Sequence, residues 1–101
     1  MAIVRGVVNF RVKPGRYSDL FEGLKTVKKV LERLGAQVSV NRVAVGGDLG
    51  NIVGVAQYSD WAAYAKATSD PELQQLIDGM RNNPNPPWES LTSAIVEDVP
   101  L

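Results

Sequence analysis

Hydrophobic and polar residues alternate through the first dozen positions of the chain. From Ile3 to Val12, Val4, Gly6, Val8, Phe10 and Val12 share one face, and Ile3, Arg5, Val7, Asn9 and Arg11 share the other. That is the two-residue period of a strand with one apolar and one mixed face. Lys13-Pro14-Gly15 ends the pattern, because Pro14 cannot donate to a ladder and suits the first turn of a helix. The period then lengthens to three and four. Tyr17, Leu20, Phe21, Leu24, Val27, Lys28, Leu31 and Leu34 form one stripe of an amphipathic helix, which Gly35 closes as a C-terminal glycine cap.

Alternation returns in "QVSVNRVAV" (37–45) and "NIVGVAQY" (51–58), and the glycine-rich "GGDLG" between them predicts an antiparallel hairpin. Ser59 is placed to cap a short helix carrying Trp61, Tyr64 and Ala65. "SDPE" at 69–72 reads as a capping box with a proline inside it, opening a second helical piece through Leu73, Leu76, Ile77 and Met80. Three prolines make "NNPNPPW" (82–88) a stiff connector that presses Trp88 onto a pocket edge or a dimer rim. Leu91 to Val99 supply the last strand. The order β-α-β-β-α-β, expected as one domain over 1–101, predicts an α+β, ferredoxin-like fold with a four-stranded antiparallel sheet.

The "KPG" entry to the first helix, the Tyr58-Ser59 pair ending the third strand and the "DPE" opening of the later helix carry a resemblance over nearly the whole chain. The chain resembles the dimeric α+β barrel superfamily, in its NIPSNAP-like branch, with the antibiotic-biosynthesis monooxygenases as neighbours. The resemblance implies a homodimer whose two sheets pack face to face, so that the mixed face of the first strand meets the partner. It also implies a pocket between each sheet and its helices. Heme-degrading relatives use an asparagine on the first strand and often a histidine; here Val8 holds the asparagine's register, Asn9 faces the other way and histidine is absent, so heme chemistry is not expected.

Composition narrows the chemistry further. Among 101 residues, Lys plus Arg and Asp plus Glu both number 11, with no basic stripe, which argues against nucleic-acid or membrane partners. No cysteine and no histidine leaves no thiolate, no disulfide and no imidazole base or ligand. The carboxylates show no convergent spacing for a metal, and "GGDLGN" links strands instead of opening a helix, so it lacks a phosphate cradle. No cofactor is expected. The first residues are too short in their apolar run for a secretory leader, and a cytoplasmic location is the expectation.

One face remains for function. Gly6, Gly54 and Ala56 are small residues on the helix-facing side of the sheet, where close packing demands that something fill the space. Two readings stand. Trp61, Tyr64, Met80, Tyr17 and Phe21 either fill that space as a dry core, giving a non-catalytic structural or binding dimer, or they wall an apolar pocket with Val8 and Phe10 on its floor and Tyr58 or Trp88 near its mouth. In the second reading the guest is a small hydrophobic or aromatic molecule and Arg42 is placed to stabilise a phenolate. The superfamily resemblance then implies a cofactor-independent monooxygenase-like reaction. Asn9, Arg5 and Arg11 belong to a polar cluster on the opposite face, paired with Glu97 or Asp98.

Overall fold

The computed structural model describes residues 2–101. Its elements are β1 (Val4–Val12), α1 (Tyr17–Arg33), β2 (Gln37–Arg42), β3 (Ile52–Tyr58), α2 (Trp61–Thr68), α3 (Pro71–Arg81) and β4 (Trp88–Glu97). All neighbouring strands are antiparallel, in the order β2-β3-β1-β4. This is the ferredoxin-like α+β arrangement that alternation predicts, with the second helix divided in two. No helix among the described residues is long and apolar enough to cross a membrane.

Local chemistry explains most of the boundaries. At the start of α1, the Arg16 amide donates to the Lys13 carbonyl at 3.0 Å and Gly15 sits at φ 75°. Pro14 therefore lies in a tight turn that precedes the helix, with glycine at the position that needs positive φ, and not in the first helical turn. At the far end Gly35 adopts φ 94°, its amide donates to Glu32 and the Ala36 amide donates to Leu31, both at 3.0 Å. These two reversed bonds satisfy carbonyls that the last turn would otherwise leave free.

The starts of α2 and α3 correct two expected caps. Asp60, not Ser59, accepts from the Ala63 amide at 2.8 Å, and Asp70, not Ser69, accepts from the Leu73 amide at 3.1 Å. Pro71 occupies the first turn of α3, so the cap must be the residue before it. Ser69 closes α2, its hydroxyl donating to the Ala65 carbonyl at 2.7 Å. The hairpin ladder also ends earlier than alternation suggests: Val45 is almost fully exposed and β2 stops at Arg42. β4 begins at Trp88 and ends at Glu97, three residues earlier at its start than the pattern indicates.

Register fixes the two sheet faces, since directly opposed residues point to the same side. Toward the helices, successive rows read Tyr58–Val4–Glu97, then Val38–Ala56–Gly6–Ile95, then Val40–Gly54–Val8–Ser93, then Arg42–Ile52–Phe10–Leu91. The first and fourth rows anchor separate hydrophobic clusters. One gathers Val4 and Tyr58 with Val30, Leu31, Ala36, Ala67 and Leu73; the other gathers Phe10 and Ile52 with Leu20. Each of α1 and α3 contributes to both clusters, so these helices span the interval between them.

Candidate functional site

Between the two clusters lie the second and third rows, and there the sheet is not sealed. Gly6, Val8, Gly54 and Ala56 all keep solvent access although they occupy the two central strands. A methyl group built on Gly54 would meet no atom within 4 Å. On Gly6 it would meet Ile95 Cδ1 at 3.6 Å, so the space above Gly6 is taken by a β4 side chain and the space above Gly54 is not. Gly23, on the α1 stripe between Leu20 and Val27, likewise has open space beside it. The outcome is open space above Gly54, a trough bounded by Val38 and Ala56, packed against one cluster, and by Val8, packed against the other; its β4 side is uncovered, with Leu91 41% and Ile95 45% exposed.

The aromatic and ligand-facing residues singled out in the sequence distribute over both ends of this trough. Tyr58, 5% exposed, sits at one end and meets Tyr64 edge-on at 5.4 Å; Tyr64 meets Trp61 in the same way at 5.6 Å. Trp61 is half-exposed, and its indole N–H donates to Glu97 Oε2 at 2.8 Å. At the other end Phe10 packs against Trp88 at 5.4 Å and Tyr17 against Phe21 at 6.2 Å, with Met80 beside them. Arg42 stands at this end, its guanidinium 5.5 Å from the Tyr17 ring centre, while the Tyr17 hydroxyl donates to the Gly50 carbonyl at 2.9 Å. Val8 and Gly54 lie opposite each other on the floor between the ends.

Six residue steps along β1 separate the Val4 row from the Phe10 row, roughly 20 Å at about 3.3 Å per residue. Tyr58 and Arg42 therefore do not converge on one point. Burial, and then the neighbouring Tyr64, raises the Tyr58 phenol above its ordinary value, so it is a proton donor at neutral pH. Sequence reasoning missed Gly23, Ser93 and the role of Glu97. Gly23 was discoverable, because it interrupts an apolar helical stripe; the other two needed the register of β4 against β1.

The opposite face is open and mixed. Val7, Val53, Val55, Ala94 and Val96 form its apolar middle by register. Around them Arg5 bonds Gln57 at 3.1 Å and pairs with Asp98, and Asn51 donates to Asn9 at 2.9 Å. Arg11 pairs with Glu89 at 3.3 Å. Asp98 thus takes the expected place in the polar cluster, whereas Glu97 lies on the helix side. Two concavities mark this face: one of about 290 Å³ lined by Val7, Asn9, Thr92, Ser93 and Ala94, and one of about 130 Å³ at Arg11, Asp48 and Asn51. Among the described residues no three Asp or Glu side chains converge to hold a metal ion.

This architecture is a ferredoxin-like α+β fold with a four-stranded antiparallel sheet. Its likeness in fold extends to SnoaB, a cofactor-independent oxygenase from Streptomyces nogalater, with a TM-score of 0.68 and 16% identity over 100% of this chain and 95% of that one. An uncharacterized NIPSNAP domain protein from Burkholderia xenovorans superposes at 0.64, with 17% identity over 97% and 94% of the two chains. A conserved protein from Methanosarcina mazei Go1 reaches 0.69 at 13% identity, over 97% and 92%. No family model and no curated protein matches the chain by sequence.

Proposed function

We propose that the protein is a homodimer that binds a small apolar molecule in the trough between its sheet and its helices. The observation that carries this reading is the empty space at Gly54, in a position where interiors are normally packed to crystal density. Apolar walls with few polar groups suit a small hydrophobic or aromatic guest. The likeness in fold to SnoaB, described as a cofactor-independent oxygenase, supports a monooxygenase-like reaction as the catalytic form of this reading. The trough's own residues supply enclosure, aromatic surface and a protonated phenol, and no side chain on its floor is a base.

Half-buried Val7, Val53 and Val55 and exposed Val96 on the mixed face support the dimer, because a contiguous apolar patch rimmed by polar groups marks an interaction surface. Sheet-to-sheet pairing would bury Val7, Val53 and Val55 and leave the helix-side trough accessible in each copy. Two measurements test the proposal. Sedimentation at micromolar concentration should give a dimer, converted to monomer by Val55→Asp. Titration with the neutral fluorophore 1-aminoanthracene should saturate near one site per protomer, and Gly54→Phe should abolish it. A monomeric wild type refutes the assembly, and absence of saturable binding refutes the site.

A further inference from the structure

No further inference is drawn: the strongest candidate, the exposed apolar pair Leu91 and Ile95 on the helix-facing side of the edge strand β4, is an unpartnered sheet face, and nothing in the structure shows what covers it.

Discussion

Replacing Gly54 with alanine is expected to stabilise the protein, against the usual direction of core substitutions. Gly54 is not among the positive-φ glycines, so its backbone accepts a side chain without strain. The added methyl meets nothing within 4 Å, so no overpacking opposes it. What remains is the reduced freedom of the unfolded chain, about 0.4–1 kcal/mol. For a domain of this size that raises Tm by roughly 2–8 °C. Thermal unfolding followed by circular dichroism measures it, with urea titration to check that the slope is unchanged. If Gly54→Ala instead lowers stability by about 1 kcal/mol or more, the space is filled in solution. The trough, and every functional reading built on it, then falls.

Other perturbations probe the same framework. Gly35→Ala places a methyl at φ 94° and should cost about 1 kcal/mol or more, read as a fall in Tm; a neutral result would mean the helix end relaxes. Asp70→Ala removes the acceptor of the Leu73 amide and should cost about 0.5–2 kcal/mol in urea unfolding, with Ser and Asn at that position retaining most of the stability. Tyr58 has a folded pKa above its unfolded value of about 10. Its linked contribution is fully present below pH 10 and is lost as pH rises through the folded pKa. Tm against pH between 9 and 12 should therefore fall less steeply for Tyr58→Phe than for wild type; parallel curves would refute the burial of that phenol.

The sequence made the scaffold legible wherever a single period ran unbroken. The stripe from Tyr17 to Leu34 and the alternation around Gly54 each matched one element, because burial on one face imposes one spacing. Caps were ambiguous where two good cap formers stand side by side, as in Ser59-Asp60 and Ser69-Asp70. Pro71 resolves the second pair, since a proline at the first helical position names its predecessor as the cap. The site was harder to read. Pairing Ile52, Gly54, Ala56 and Tyr58 on one face needed only alternation. The distance from Tyr58 to Arg42, and the placement of Ile95 over Gly6 but of nothing over Gly54, depends on inter-strand register. Register joins residues up to 93 positions apart, as between Val4 and Glu97, and no local pattern encodes it.

That pairing of Val4 with Glu97 also bears on how the chain is made. β1 is central in the sheet, yet its β4 neighbour follows every other element in chain order. During synthesis the first strand can zip onto the β2–β3 hairpin while its second edge, a row of unpaired amides and carbonyls, waits for about thirty further residues to emerge. At translation rates of about 5–20 residues per second that interval lasts seconds, long enough for an exposed edge to recruit a strand from a neighbouring nascent chain. The bare edge is a hazard of biogenesis that no contact in the finished molecule reveals.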